Sequence, residues 1–346
     1  MAMADVTVLG AGIFGLSVAW ACVGRGAKVR VIDPYGPGAG SSGGIVGALA
    51  PHVPEQWNDK KAFQLDSLLM AASFWSGVEA SSGMSTGYAR LGRLQPVTDL
   101  AALDLAKARA LSAAELWQGQ AVWEVLRADT LGDWSPHSPS GWVIRDTLSA
   151  RLHPRQACAA LVVALQAHGA DVVNEHRVEG RVIHASGLAG LEAISADLGR
   201  SFGNGVKGQA ALLAYDACDL PQLFVDTVHV VPHADGTVAV GSTSERDYED
   251  ASVTDAQLDQ VIARARDAVH ALRDVEVIER WAGVRPRARS RAPVLGVHPV
   301  YSDHFIANGG FKIGFGMAPK VAEVMADLVL DGIDTIPAGF RPEASL

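Results

Sequence analysis

The segment DVTVLGAGIFGLSVAWACVGRGAKVRVID, residues 5–33, decides the fold of this 346-residue chain. A short β-prone run ends at Gly10, an apolar run with the character of a buried helix follows, and a second β-prone run ends at Asp33. Between the first strand and the helix, Gly10, Gly12 and Gly15 have the G-x-G-x-x-G spacing. The segment therefore predicts a βαβ unit that binds a dinucleotide.

Each residue of this pattern has its own physical reason. Gly10 makes the tight turn, Gly12 lets the backbone approach a pyrophosphate, and Gly15 allows the helix to pack closely on the strand. The amino end of the helix then offers free N–H groups and a partial positive charge to the phosphates. Asp33, 18 positions after Gly15, is placed to accept hydrogen bonds from ribose hydroxyls.

The uncharged stretch 6–24 also has the length of a membrane span or a signal sequence. No basic region precedes it, since the only earlier charge is Asp5, and its glycines already have a function in the turn. We therefore expect folded structure here, and no membrane span.

Composition narrows the class of protein further. Hydrophobic residues make up 49% and charged residues 19% of the chain, which predicts a packed protein with core enough for two domains. The formal net charge is −9, and the arginines at 287, 289 and 291 form only a local cluster, which argues against a nucleic-acid partner. The three cysteines fit no zinc or disulfide pattern, so no metal site and a reducing, cytoplasmic compartment are expected.

The rest of the chain alternates helical and β-prone runs. A Gly/Ser-rich loop spans 36–47, and a long loop of this kind usually has a functional role. A hairpin is predicted around Gly236 and a strand over 182–187 that ends at glycine. Helices are predicted over 62–82, 100–114, 156–168, 255–272 and about 319–330.

Five segments together resemble the D-amino-acid oxidase family of flavoproteins, nearest its glycine oxidase branch. The resemblance runs from about residue 5 to 330 and includes a Gly-x-Arg-Pro motif, which is more specific than the glycine fingerprint alone. The segments are GAGIFG with Asp33, SSGGIVGALAPH at 41–52, VIHASG at 182–187, WAGVRP at 281–286 and NGGFKIGFGMAP at 308–319.

The resemblance implies an α/β protein with a Rossmann-like FAD-binding domain of the DAO type and a β-rich substrate-binding domain. The FAD-binding domain would comprise 1–55, 150–198 and 276–346, and the substrate-binding domain 56–149 and 199–275. FAD would be bound non-covalently, although some related enzymes attach it to a histidine, and His52 lies in the corresponding loop. The implied cofactor-binding residues are Gly10, Gly12, Ile13, Phe14, Gly15, Asp33, Ser41, Ser42, Gly43, Gly47, Ala48, Leu49, Val178, Ala185, Ser186, Gly187, Gly310, Phe311, Lys312, Ile313 and Gly314.

Three residues are implied at the catalytic centre. Arg285 occupies the position of the arginine that binds the substrate carboxylate in the family, since a guanidinium pairs a carboxylate through two hydrogen bonds. His229 replaces a substrate-facing tyrosine; it either contacts the substrate or packs on the sheet. Lys312 matches a position often occupied by arginine and either supplies positive charge near the reduced flavin or the substrate, or is a surface lysine. Ser290 departs from the family pattern, which commonly has aspartate there.

The expected reaction is oxidation of the C–N bond of a small amino acid or secondary amine. A hydride passes from the substrate to flavin N5, and water hydrolyses the resulting imine. The electron acceptor is O2 or another molecule, and the oligomeric state, including a homo-oligomer, stays open. Two alternatives remain: a flavoenzyme acting on a carboxymethylaminomethyl-uridine of tRNA, and a dinucleotide-binding module without catalysis.

Overall fold

The computed structural model describes residues 3–346, so the first two residues of the predicted 1–55 segment lie outside the described residues. Sixteen strands and seven helices are assigned in this range. Within it, every helix is too short or too polar to cross a membrane. The strands are β1 Val6–Leu9, β2 Val29–Ile32, β3 Ala48–Leu49, β4 Arg93–Pro96, β5 Trp123–Arg127, β6 Trp142–Asp146, β7 Ala150–Arg151, β8 Asp171–Val173, β9 Arg181–His184, β10 Gly203–Leu213, β11 Gln222–Val225, β12 Val228–Pro232, β13 Val238–Gly241, β14 Val277–Ala288, β15 Val294–Val297 and β16 His304–Asn308. The helices are α1 Ile13–Gly24, α2 Asp59–Ser82, α3 Leu100–Leu116, α4 Pro154–Ala167, α5 Gly187–Leu198, α6 Ala256–Ala268 and α7 Gly314–Ala326.

The first sheet has six strands in the order β15-β16-β9-β1-β2-β8 and is parallel except for β15. Its central strand β1 is buried on both sides, as expected of a parallel strand between helical layers. Helix α1 packs against α4 and α7, and α2 covers the latter two. The predicted βαβ unit is therefore present, with β1 and β2 paired in parallel from Val6↔Val29 to Leu9↔Ile32.

The second sheet has eight strands in the order β14-β10-β13-β12-β11-β4-β6-β5 and is mostly antiparallel. Its longest pair is β10 with β14, which runs from Gly203↔Ala288 to Leu213↔Val277. Helix α6 covers one face with Leu258, Val261 and Ile262 in a separate apolar core. The predicted hairpin is present as β12 and β13.

Two features of the helices differ from the predictions. The last helix begins at Gly314 and not near residue 319, so Pro319 lies inside its first two turns. A helix at 187–198 was not predicted because glycines at 187 and 190 disfavour one. Its Leu191 and Ile194 are buried in a small core with Phe202, which offsets that low propensity.

The two sheets suggest a division of the chain close to the predicted one. Strands β1, β2, β8, β9, β15 and β16 all fall in the segments assigned to the FAD-binding part. Strand β14 lies in the predicted segment 276–346 but pairs with β10 in the eight-stranded sheet. We propose that the substrate-binding part includes β14 and that the chain returns to the FAD-binding part at about residue 289.

Candidate functional site

The glycine turn has the geometry that a backbone-lined phosphate site requires. Gly10 has φ of +114°, and a Cβ added there would overlap the carbonyl oxygen of Ala185 at the end of β9. A Cβ at Gly15 would overlap the carbonyl oxygen of Gly10. Only glycine fits at these two positions, so the turn and the helix α1 lie as close to the sheet as backbone atoms allow.

Neighbouring polar groups fix the turn. The Ser42 hydroxyl accepts a hydrogen bond from Ile13 N at 3.0 Å, at the amino end of α1. Asp33 accepts bonds from Ala11 N at 2.8 Å and from Tyr35 N at 3.0 Å. The Asp33 carboxylate therefore lies beside the turn, at the carboxyl end of β2, where the ribose of a dinucleotide would be. This geometry fits a dinucleotide such as FAD.

The Gly/Ser-rich loop lies across the same end of the sheet. A Cβ at Gly47 would overlap the carbonyl oxygen of Leu152, and Gly47 accepts a hydrogen bond from Leu152 N at 3.1 Å. The short pairing of β3 with β7 then fixes Ala48 and Leu49. The loop therefore lies next to the glycine turn, and the predicted cofactor contacts of Ser41, Ser42, Gly43 and Gly47 stay a prediction.

The third and fifth segments meet each other beside the turn. Ala185 donates to Leu9 O at 2.8 Å, so β9 ends next to β1. Asn308 Nδ2 donates to Gly187 O at 2.9 Å, which ties the end of β16 to the start of α5. A Cβ at Gly310 would press on the Phe14 ring. The structure therefore brings the Ala185–Ser186–Gly187 stretch, the 310–314 turn and the glycine fingerprint into one place.

Val178 is the exception among the predicted cofactor residues. It lies in the connection 174–180 between β8 and β9, and 42% of its surface is exposed. The next residue, Glu179, accepts from Ala4 N at 3.1 Å and from the Thr7 hydroxyl, at the amino half of β1. These contacts direct the connection away from Gly10, so the predicted adenine contact of Val178 stays a prediction.

A cavity of about 190 Å³ opens where the Gly/Ser-rich loop, the second sheet and the 310–314 turn meet. It contains two of the three predicted catalytic residues, His229 and Lys312, but not Arg285. Within the described part of the chain its lining contains no carboxylate. The lining residues are Ala48, Leu49, Ala50, Pro51, His52, Gln64, Arg93, Phe224, His229, Lys312, Ile313 and Gly316.

Arg285 lies beside this cavity in β14, and protein oxygens occupy much of its guanidinium. Nη1 donates to Ser242 Oγ at 2.7 Å, and Nη2 donates to the carbonyl oxygens of Thr243 at 2.7 Å and Lys207 at 3.1 Å. Nε is buried without a partner among the described residues. Burial lowers the pKa of Arg285 to about 10, which leaves it charged at neutral pH. The two-point carboxylate grip predicted for Arg285 therefore requires it to release a backbone carbonyl.

Three cations surround the ring of Phe311. The charged groups of Arg285, Arg287 and Lys312 lie 5.7, 5.6 and 5.7 Å from its centroid. Burial lowers the pKa of Lys312, and the charges of Arg285 and Arg287 lower it further. A substrate anion in the cavity would reduce this mutual repulsion.

His229 is an uncharged ring in the wall of the cavity. Its ring centroid lies 4.7 Å from that of Phe224, and its Nδ1 is buried without a partner within residues 3–346. Burial, with the nearby charges of Arg93 and Lys312, lowers the pKa of His229 to about 3. The ring is therefore neutral at physiological pH and a weak base.

Arg93 is a cavity residue that the sequence analysis missed. Its Nε donates to Asp146 at 3.0 Å across the β4–β6 pair, and both side chains are buried. Its guanidinium lies 5.9 Å from the Phe224 ring. The available signal was an arginine inside a short β-prone run, which alone does not indicate its partner.

The fold is that of an α/β protein with a glycine-rich dinucleotide turn and a cavity where its two sheets meet. The sequence model of the family described as FAD dependent oxidoreductase (DAO) matches residues 5–328. The chain belongs to this family and is an FAD-dependent oxidoreductase of the glycine oxidase or amino-acid oxidase type. The predicted family and fold class are thus confirmed.

Individual relatives agree with this assignment. The glycine oxidase of Bacillus licheniformis is 26% identical, and the match covers 94% of this chain and 93% of that protein. The glycine oxidase of Pseudomonas putida is 28% identical, with 99% of both chains covered. The crystal structure of glycine oxidase from Geobacillus kaustophilus superposes with a TM-score of 0.85 over 98% of both chains, at 20% identity, and so supports the fold.

Proposed function

We propose that the protein oxidises the C–N bond of a small amino acid or secondary amine with non-covalently bound FAD. The observation that carries the proposal is the cavity of about 190 Å³, whose lining includes Lys312 and Arg93 and no carboxylate. Arg93 is paired with Asp146 outside the lining, so Lys312 is the cation that a substrate carboxylate would neutralise. The volume of the cavity suits a small substrate, and its positive charge suits a carboxylate group. The names of the relatives support the same class of substrate.

FAD, when bound, would accept the hydride from the carbon next to the amine. The glycine turn, Asp33 and the loop around Ser42 would hold it. The turn lies close to β9, and the Asp33 and Ser42 side chains accept hydrogen bonds from its backbone N–H groups. Phe14 and Gly310 would place the 310–314 turn against FAD. The protein's own part is to orient the substrate, not to supply a strong base.

The cavity side chains have distinct proposed roles. Lys312 and Arg93 bind the substrate carboxylate, with Arg285 as a third cation behind them. His229 is neutral and forms a wall with Phe224, where its free Nδ1 can bond one polar group of the substrate. Substrate that binds with a neutral amine needs no protein base, and the low pKa of His229 agrees with that.

The state of His52 and of two of the three cysteines supports non-covalent FAD. His52 Nδ1 is 2.5 Å from Gln64 Oε1, and Gln64 also accepts from His52 N at 2.7 Å. Cys22 and Cys158 are buried, and burial raises the pKa of each thiol to about 12. The histidine is held by a partner and the two thiols are not ionised, so we expect FAD to be released by denaturation without protein attached.

The test is an anaerobic absorbance spectrum before and after addition of glycine, sarcosine, proline, and D- and L-amino acids. A yellow protein that one of these bleaches supports the proposal, and admission of air then separates an oxidase from a dehydrogenase. Flavin that no amine reduces would contradict it and would favour a module without catalysis. Salt-sensitive tRNA binding would favour the tRNA-modifying alternative.

A further inference from the structure

A second cluster of polar side chains lies outside the cavity, at the tip of the β12–β13 hairpin. His233 and Asp235 belong to this hairpin, and His153 precedes α4. One ligand atom of each residue lies within 4.8 Å of those of the other two. The cluster shares no residue with the lining of the cavity.

His233 has an unused lone pair that faces this cluster. The side chain is fully buried, and its Nε2 has no hydrogen-bond partner among the described residues. Its Nδ1 lies 3.3 Å from the Thr237 hydroxyl, which itself donates to Asp235 at 2.7 Å. The Thr237 proton is thus used, so the Thr237 hydroxyl can accept from His233 Nδ1, and in that tautomer Nε2 is free to bind a ligand. A buried polar nitrogen without a hydrogen bond is costly, which indicates a missing partner.

We propose that His153, His233 and Asp235 bind a divalent transition-metal ion, with Zn²⁺ as the best fit. Two imidazole nitrogens and one carboxylate oxygen form a donor set that Zn²⁺ accepts, with water in the fourth position. The ligand atoms must approach to about 3.3 Å from one another, which follows from Zn–N and Zn–O bonds of about 2.0–2.2 Å. The His153–His233 ring centroids are already 4.6 Å apart, and His153 Nε2 is 3.9 Å from Asp235 Oδ2.

The surrounding hydrogen bonds orient the proposed ligands. Asp235 Oδ1 accepts from the Thr237 hydroxyl and backbone N–H, which leaves Oδ2 for the ion. The single bond to Oδ2, from Gln156 Nε2, is long at 3.5 Å. His153 accepts from Gln156 N through Nδ1 at 3.4 Å, and this weak bond is lost when its proton moves to Nδ1 to free Nε2. Such outer contacts fix ligand orientation in metal sites.

Charge in the region has both signs. Asp235 supplies a carboxylate to the cluster. The Arg151 guanidinium is close enough to oppose a cation, but it is bound to the carbonyl oxygens of Gly87 and Cys218. A bound ion would tie the β12–β13 hairpin to the start of α4, and so would join the two sheets.

The test is metal binding by the full-length, tag-free flavoprotein after chelator treatment. Calorimetric titration with Zn²⁺ should give one site per chain, and Co²⁺ should produce visible d–d absorption bands. Asp235→Asn should weaken Zn²⁺ binding at least tenfold, and His233→Gln should abolish the cobalt bands. Saturating Zn²⁺ should raise Tm in the unmodified protein and not in Asp235→Asn.

The matched control is His304→Gln, in another histidine cluster of the same chain. There His184 Nε2 lies 2.8 Å from His304 Nδ1, so these two rings are hydrogen-bonded to each other. Zn²⁺ binding in this variant should equal that of the unmodified protein. Absence of binding, or equal binding by Asp235→Asn, overturns the proposal. Because Asp235 is exposed, that variant decides the question even if His233→Gln fails to fold.

Discussion

The two ends of this site are built in opposite ways. At the six-stranded sheet, the proposed cofactor site is built around the backbone of one local segment, the glycine turn at 10–15, and depends on its close approach to Ala185. At the eight-stranded sheet, the cavity depends on the side chains of Arg93, His229 and Lys312, which are 136 and 83 positions apart (229 − 93 and 312 − 229). FAD binding should therefore be lost when a substitution alters the backbone of the turn. Substrate binding should be lost when a substitution removes a charged side chain from the cavity.

The largest effect is expected from Gly10→Ala. The new Cβ overlaps the Ala185 carbonyl, and φ of +114° is strained for alanine. Strain of about 1–2 kcal/mol and lost phosphate hydrogen bonds of about 1.5–3 kcal/mol each predict an FAD affinity lower by roughly a thousandfold. Flavin content and FAD titration measure this. Gly24→Ala, at the open end of α1, is the control, and a yellow Gly10→Ala protein would contradict the backbone interpretation.

Arg93→Met should have the next largest effect, on stability. It leaves the buried Asp146 carboxylate without its partner, which costs about 3 kcal/mol or more. Urea unfolding measures the loss. The double variant Arg93→Met/Asp146→Asn should regain part of the stability. If Arg93 also binds substrate, the KM of the double variant should stay high. A KM equal to that of the unmodified protein would limit Arg93 to a structural role.

Lys312→Met should act on substrate binding and spare stability. The lysine lies among like charges, so its loss relieves repulsion, while a carboxylate substrate loses a charged partner worth about 1.5–3 kcal/mol. We expect kcat/KM to fall roughly 10- to 100-fold with Tm unchanged or raised. The control is Lys320→Met, since Lys320 lies in α7 and is paired with Glu323 of that helix. An equal fall in both variants would remove Lys312 from the site.

The smallest effect concerns acid stability and His229. Its pKa is about 3 in the fold and 6.5 in the unfolded chain, so between pH 7 and 5 only the unfolded chain gains a proton. The free energy of unfolding therefore decreases as the pH falls from 7 to 5, and this ring accounts for about 2 kcal/mol of the decrease. His229→Asn should reduce the difference in unfolding free energy between pH 7 and 5 by that amount, and the exposed His176→Asn should not. An unchanged difference in His229→Asn would show that the ring is not buried.

Prediction from sequence succeeded where a local pattern determines the geometry. The spacing of Gly10, Gly12 and Gly15 requires a close turn, and the structure contains it. Prediction failed where tertiary contacts outweigh local propensity. Glycines at 187 and 314 disfavour a helix, but packing of α5 against β10 and β14, and of α7 against α1 and α2, stabilises both.

The cavity was the least predictable part. The Gly-x-Arg-Pro motif singled out Arg285 as a candidate site residue. It could not indicate that the carbonyl oxygens of Lys207 and Thr243 accept hydrogen bonds from the guanidinium. The buried Arg93–Asp146 pair joins strands 53 positions apart in the chain, a separation at which no periodic pattern indicates a contact.

The order of strands has a consequence for how substrate reaches the cavity. The chain passes between the two sheets four times: from β2 to β4, from β6 to β8, from β9 to β10 and from β14 to β15. When a single linker joins two domains, they can open by a hinge motion about that linker. Here four connections would all have to bend at once for the two sheets to separate. Substrate entry should therefore not require separation of the two halves.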